Sequence, residues 1–135
     1  MKKNCKGHGR ALLLAAAMML SGTLSAQTNI TDVAGLNDMT SSGSYVIKND
    51  IDATDFTSSI ASFSGTLEAD INPDTKMPYR IKNLGKPLFT TLTGTVKNLV
   101  LENVNISNHD GNTGAFACAA NGAARIYNVG ILAGS

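Results

Sequence analysis

The densest group of oxygen-bearing side chains that could bind a cation lies between positions 49 and 55. Asn49, Asp50, Asp52 and Asp55 carry the amide and carboxylate oxygens that Ca²⁺ prefers. A calcium loop also requires a glycine turn and a distal glutamate, and this segment has neither at the required distance. We therefore expect these acids to be solvated at a strand end, and we predict neither a metal site nor another cofactor.

A second charged group would suit the cleavage of a polysaccharide, which requires acids and a basic residue on one exposed sheet face. The candidates are Asp70, Asp74, Arg80, Lys82 and Lys97. These side chains could share a face, but nothing in the sequence fixes them together. The sequence therefore predicts no catalytic residues and no enzyme activity.

A third group consists of isolated basic and aromatic side chains. His109 lies beside Asp110 in a polar loop, and no second histidine follows the first 26 residues, so a histidine-based metal site or nucleophile–base pair is not expected. A basic–aromatic patch for an acidic glycan would consist of Tyr79, Arg80, Lys82, Lys86 and Lys97. Outward-facing strand residues are the simpler interpretation of that patch.

The first 26 residues have the order of an export signal. Four basic residues precede an unbroken apolar run over residues 11–20, and small or polar residues follow up to Ala26. An apolar run of this length spans about 15 Å as a helix, roughly half of a bilayer core. We predict a signal peptide over 1–26, cleaved near Ala26, no stable membrane span, and a protein that is secreted or held at the cell surface.

The rest of the chain is weakly acidic. The sequence holds 11 basic and 10 acidic residues, and four basic but no acidic residues lie in the first 26 positions, which leaves a net charge of −3. A negative chain disfavours nucleic acid and anionic membrane surfaces as partners. The remainder lacks tryptophan and is rich in Gly, Asn, Ser and Thr, which suits one small domain of short strands joined by turns.

Aromatic and glycine residues recur in this part at a nearly constant interval. Phe63, Phe89 and Phe116 are separated by 26 and 27 residues. Glycines follow them at a similar spacing: Gly65, Gly94 and Gly122. A period in this range is typical of a chain that coils on itself and stacks one coil on the next. We predict that the three phenylalanines form one internal column.

Asparagines interrupt the apolar alternation of the strands. Val96 and Leu99 are both candidates for burial, although a straight strand would point them to opposite faces. A bend at Asn98 resolves the conflict, because asparagine tolerates the left-handed backbone conformation. Related aliphatic and asparagine patterns predict bends at Asn83, Asn98, Asn103 and Asn128. Stacked amides would then hydrogen-bond along the corners, with Asn83 at a different corner from Asn98 or at a different stage of its coil.

Short strands, single-residue bends and this period predict an all-β fold, a right-handed parallel β-helix of about three to four short coils. Residues 27–44 would cover the first coil, and residues 45–135 would form the coils, with Tyr45 to Ala53 as the first strand. The apolar pattern runs to the last residues, so we expect an uncapped final coil that is truncated or self-associates. The alternative is a small antiparallel sandwich with its asparagines in ordinary turns.

The order of these pieces resembles the GLUG-motif group of secreted, adhesin-like bacterial β-helix proteins. The matching segments are Tyr45, Asn49 to Asp52, Phe63 to Thr66, Ile81 to Leu84, Leu88-Phe89, Gly94 to Leu99, Asn105-Ile106, Gly114 to Ala117 and Ile126 to Val129. Ala117 replaces the motif's closing glycine, so at most one full repeat is present. The resemblance implies a secreted or surface protein with a rod-like face, and it does not imply one ligand or one reaction.

Together these observations predict a non-catalytic, exported, adhesin-like module that offers its sidewall to a glycan or a host surface ligand. One alternative is the N-terminal part of a pectin-lyase-like carbohydrate-active enzyme whose catalytic coils lie beyond residue 135. Another is a non-functional gene fragment. The residues expected to build the module are Phe63, Phe89, Phe116, Asn83, Asn98, Asn103, Asn128, Gly65, Gly94 and Gly122.

Overall fold

The computed structural model describes residues 26–106 and 114–133, which form short strands and one helical turn. The strands are β1 (Gln27–Ile30), β2 (Ser44–Ile47), β3 (Ile51–Asp52), β4 (Ile60–Phe63), β5 (Thr66–Ala69), β6 (Arg80–Lys82), β7 (Phe89–Leu92), β8 (Thr95–Glu102), β9 (Ala117–Ala120) and β10 (Arg125–Leu132). Helix α1 (Val33–Asn37) lies between β1 and β2. The fold is therefore all-β, as the sequence predicts.

Every pair of named strands in the described part of the chain runs parallel. One ladder consists of β1, β2, β5, β8 and β10, a second of β3, β6 and the later residues of β8 and β10, and a third of β4, β7 and β9. The one antiparallel contact among these residues is an isolated bridge between Ile71 and Pro78. Parallel pairing throughout is incompatible with an antiparallel sandwich.

Strand β8 belongs to two ladders because it bends in the middle. Its residues 95–97 pair with β5, and its residues 100–102 pair with β6. Asn98 lies at the bend with a φ of 51°, and Asn83, Asn103 and Asn128 also have positive φ. The left-handed residue shifts the in–out alternation by one position. As a result, Val96 and Leu99 are both fully buried.

The interior contains an aromatic stack. The rings of Phe63 and Phe89 lie 4.5 Å apart at 11°, and Tyr45 lies 6.2 Å from Phe63. Phe116 is half-buried against the same core but makes neither of these ring contacts. The strand register explains this, because Ala117, and not Phe116, lies opposite Phe89. The stack therefore runs through Tyr45, Phe63 and Phe89, where the sequence suggested Phe63, Phe89 and Phe116.

Glycines allow neighbouring strands of the first ladder to approach closely just before they begin. A Cβ on Gly65 would collide with the carbonyl oxygen of Gly43 and lie 2.7 Å from its nitrogen, and a Cβ on Gly94 would lie 2.6 Å from the carbonyl carbon of Ser64. A Cβ on Gly122 would have no neighbour within 4 Å. The close glycine series is therefore Gly43, Gly65 and Gly94, and Gly122 does not continue it.

Residues 27–44 contribute a strand and several buried side chains to the core. β1 pairs with β2 along its whole length, so the first strand among the described residues is Gln27–Ile30 and not Tyr45 to Ala53. The sequence pattern hides β1 because three of its four residues are polar and exposed. The Asp32 carboxylate accepts a 2.9 Å hydrogen bond from the Gly35 amide and caps α1. Leu36 and Met39 are buried behind it.

Candidate functional site

The outer face of the first two ladders carries ion pairs between neighbouring strands. Glu68 on β5 lies opposite Lys97 on β8, and their charged atoms are 3.3 Å apart. Arg80 on β6 contacts Glu102 on β8 at 3.2 Å. These side chains are partly exposed, so each pair contributes at most about 1 kcal/mol. Their main effect is to neutralise the face, which leaves no strongly basic surface there.

The acidic cluster predicted at positions 49–55 does not converge on one point. Asp50 accepts a 2.9 Å hydrogen bond from the Arg80 amide and lies 3.4 Å from the Lys82 ammonium group. Asp52 accepts hydrogen bonds from Thr54 instead, at 3.0 Å from the amide and 2.6 Å from the hydroxyl. The described residues contain no group of three or more His, Cys, Asp or Glu side chains that could hold a metal ion.

The predicted acid–base set is also dispersed. Asp70 pairs with Lys48 at 2.6 Å, and Asp74 lies in the exposed turn that follows Pro73. The basic members Arg80, Lys82 and Lys97 each contact an acid of a neighbouring strand or loop. Sequence reasoning missed the partners Lys48, Glu68 and Glu102, although their separations of 20–30 residues lie close to the aromatic period. His109 and Asp110 lie outside the described residues.

Amide side chains form two ladders at the corners. The Asn103 amide donates to Asn83 Oδ1 at 2.6 Å, and the Asn83 amide donates to Asp52 Oδ1 at 3.1 Å. At the other corner, the Asn128 amide donates to Asn98 Oδ1 at 2.5 Å. Asn83, Asn103 and Asn128 thus each combine a left-handed bend with a hydrogen bond donated to an earlier side chain, whereas Asn98 combines its bend with an accepted one. The amide ladder through Asn103 and Asn83 ends on the Asp52 carboxylate, which is a stronger acceptor than an amide oxygen.

Because the amide ladder of Asn103 and Asn83 ends on the Asp52 carboxylate, its contribution to stability depends on pH. The Thr54 hydroxyl, and then the Asn83 amide, hold the pKa of Asp52 below the ordinary value of 3.8. A folded-state pKa below the unfolded one means that Asp52 contributes stability above about pH 4, which is lost as pH falls through the lowered folded-state pKa. The Lys48 ammonium group lowers the pKa of Asp70 in the same direction.

We therefore expect the melting temperature of the chain to fall as the pH drops below about 4. Asp52→Asn should melt below the wild type at about pH 7, and the difference should shrink at about pH 2.5, where more of the wild-type carboxylate is protonated. Circular dichroism melts at both pH values measure this. Ser58→Ala, at an exposed neighbouring position, is the control. A difference that stays constant or grows in acid would contradict the assignment.

An open groove of about 470 Å³ lies next to the segments that follow Asp52 and Asn83. It is lined by Thr54, Asp55, Phe56, Thr57, Gly85 and Lys86. Phe56 is only 5% exposed, so it does not present a ring on which a sugar could stack. Lys86 is the one member of the predicted basic–aromatic patch that lines the groove. The patch is therefore not assembled as a glycan site there.

Comparison with known proteins gives two matches. Residues 26–132 match the family model described as the M26 IgA1-specific Metallo-endopeptidase N-terminal region. An immunoglobulin A1 protease from Streptococcus sanguinis is 55% identical to the chain over 60 residues, which cover 42% of the chain. That alignment covers 3% of the relative, so the chain spans only a small part of its length. No solved structure gives a significant match.

These matches correct the functional expectations. The non-catalytic, adhesin-like module is wrong, because the matched family is named for an endopeptidase and the relative is a protease. The expectation of no enzyme is wrong for the same reason. Neither the carbohydrate-active enzyme nor the gene fragment is better supported. The GLUG resemblance is correct only in the broad sense that the chain belongs to a secreted bacterial protein family.

The relative also supports an exported bacterial protein. The predicted signal peptide lies outside the described residues except for Ala26. Among the residues that the structure describes, no helix is long and apolar enough to cross a membrane.

A metallo-endopeptidase requires a bound metal, and the described residues do not fit one. Asp50, Asp70 and Glu102 are each paired with a lysine or arginine, so they do not form an open set of ligands. No group of three candidate ligands occurs among residues 26–106 and 114–133. We assign no reaction step to these side chains.

Proposed function

This chain belongs to the M26 IgA1-specific metallo-endopeptidase N-terminal region family, and we propose that it is the N-terminal region of a bacterial enzyme that cleaves immunoglobulin A1. The observation that carries the proposal is the family match, which extends over residues 26–132. The 55% identity to an immunoglobulin A1 protease supports the same substrate. In this proposal the host partner is immunoglobulin A1.

We also propose that the region is a right-handed parallel β-helix of about three to four coils. Three parallel ladders and left-handed asparagines at the corners support this architecture. The division proposed is a signal peptide over 1–26, a capping segment over 27–44 and coils over 45–135. In a β-helix, the strand β1 would be the first rung of the coils, although it lies within the capping segment.

The proposed role of these coils is to bind the substrate through contacts that lie far from the bond that the enzyme cleaves. Stacked coils form a rigid, extended wall, which suits contact with a large protein. The wall is neutralised by its ion pairs, for example Glu68 with Lys97. Such remote contacts raise the affinity for the substrate, so their loss is expected to appear mainly in KM.

The test uses the full-length enzyme that carries this region. We expect the intact enzyme to cleave immunoglobulin A1 and to lose this activity with a chelator, as a metallo-endopeptidase does. Deletion of residues 26–132 should lower kcat/KM by about tenfold, mainly through KM. An intact enzyme that does not cleave immunoglobulin A1 would contradict the proposed activity, and an unchanged KM after deletion would contradict the proposed role of the coils.

A pair of point variants separates this role from the gross effect of a deletion. Gly65→Ala introduces a collision between neighbouring strands, whereas Gly122→Ala meets no atom within 4 Å. In the full-length enzyme, Gly65→Ala should raise KM in the same direction as the deletion, and Gly122→Ala should leave it unchanged. Equal effects of the two variants would show that the coils do not act through their folded form.

A further inference from the structure

The last strand, β10, exposes apolar side chains at positions that are buried one strand earlier. Ile126 lies opposite Val96, and Ile131 lies opposite Leu101. Val96 and Leu101 are 0% exposed, whereas Ile126 is 43% and Ile131 is 56% exposed. The register places all four in the interior columns of the ladders. Ile126 and Ile131 are therefore exposed because no further strand covers them among the described residues, and not because they point away from the interior.

The buried residues have a neighbour on both sides. Val96 lies between Leu67 on β5 and Ile126 on β10. Leu101 likewise lies between Ile81 on β6 and a β10 residue. Within the described residues, β10 pairs on one side only, with β8. One more parallel strand would complete each column.

The second asparagine ladder is open on the same side. Asn83 donates to the preceding side chain and accepts from Asn103. Asn128 donates to Asn98 Oδ1 in the same way, but no donor among the described residues reaches its own Oδ1. The edge of β10 therefore presents an amide acceptor between aliphatic side chains.

A second copy of this chain, added in parallel through the other edge of the same ladder, does not fit the β10 edge well. The strand at that other edge is β1, which has four residues against the eight of β10. The register places Thr28 in the column of Tyr45, Leu67 and Val96. A copy would therefore set the polar Thr28 on Ile126. α1 follows β1 and covers that end of the core with Leu36.

We propose that the β10 edge binds, in parallel, a further strand of the same longer protein that carries the aliphatic–x–Asn–aliphatic pattern. Its asparagine donates to Asn128 Oδ1, and its aliphatic side chains cover Ile126 and Ile131. The proposal rests on the proposed β-helix and is continuous with the existing β8–β10 pairing. The relative is far longer than this chain, since the alignment covers only 3% of it, so that relative has further chain outside the matched segment.

A peptide tests the edge directly. The probe is a fluorescein-labelled octapeptide with the sequence of β10, RIYNVGIL, titrated into the full chain. We expect saturable binding that Ile131→Asp weakens about tenfold, because the charge lies in the column to be covered. Met77→Asp is the matched control, since Met77 is 48% exposed on the turn between Ile71 and Pro78. It should leave the binding unchanged. Replacing the peptide's asparagine with valine should also weaken binding about tenfold.

Several results would overturn this inference. Equal binding of a scrambled peptide, or equal weakening by Ile131→Asp and Met77→Asp, would show that the peptide does not pair with β10 in a defined register. A chain that doubles its mass in light scattering, and loses this property with Ile131→Asp, would show that a second copy covers the edge. These readouts do not depend on cleavage of immunoglobulin A1, so the edge and the proposed enzyme function can fail separately.

Discussion

Phe89→Ala should lower the free energy of unfolding by about 3–5 kcal/mol. Phe89 is fully buried, and its ring lies 4.5 Å from the Phe63 ring at an angle of 11°. Truncation removes this contact and leaves a cavity between neighbouring strands. A domain of this size is stable by roughly 5–15 kcal/mol, so the variant should be close to unfolding. Urea denaturation followed by circular dichroism measures the loss.

Two further variants keep this prediction testable if Phe89→Ala does not fold. Phe89→Leu retains most of the apolar volume and should lose clearly less stability than the alanine variant. Phe116→Ala removes a half-buried ring outside the stack and should cost about 1–2 kcal/mol. If Phe116→Ala cost as much as Phe89→Ala, the stack would include Phe116, and the strand register described above would be wrong.

Gly65→Ala should be nearly as damaging, for a different reason. Its Cβ would collide with the carbonyl oxygen of Gly43 and lie 2.7 Å from the Gly43 nitrogen. The Thr66 amide also donates to the Gly43 carbonyl at 2.8 Å, so the two backbones cannot separate without losing that hydrogen bond. We expect a loss of about 3 kcal/mol from this overpacking. The midpoint of urea denaturation reports it.

The control for Gly65→Ala is another glycine of the predicted series. Gly122→Ala adds a Cβ with no atom within 4 Å, so the free energy of unfolding should change by less than about 0.5 kcal/mol. Gly94→Ala should resemble Gly65→Ala, because its Cβ would lie 2.6 Å from the Ser64 carbonyl carbon. A Gly65→Ala variant as stable as Gly122→Ala would contradict the close approach of these strands.

The adhesin interpretation failed because a wall of stacked strands is compatible with many functions. The pattern of Asn, Phe and Gly residues reports how the chain bends and packs, and it carries no information about a reaction. The described acids are mostly paired or hydrogen-bonded within the wall, as Asp70 is with Lys48. Kinship with an IgA1 protease therefore came from sequence matches and not from any chemistry visible in this region.

Local residue chemistry by itself determined the strand-rich fold and the places where the chain bends. Val96 and Leu99 can both be buried only if Asn98 takes the left-handed conformation, and its φ is 51°. This conclusion needs only neighbouring residues. Neighbouring residues could also suggest that amides stack at the corners. They could not specify that one amide ladder ends on Asp52, because that contact joins residues far apart in the chain.

Only the tertiary structure decided which residues lie opposite each other. Phe63 pairs with Leu92 although its ring stacks on Phe89, and the close glycine series begins at Gly43 rather than ending at Gly122. The ion pair between Lys48 and Asp70 depends on the same register. Register between distant strands depends on the length and path of each connection, and these connections vary from one strand pair to the next. Residue types and average spacing do not encode that path.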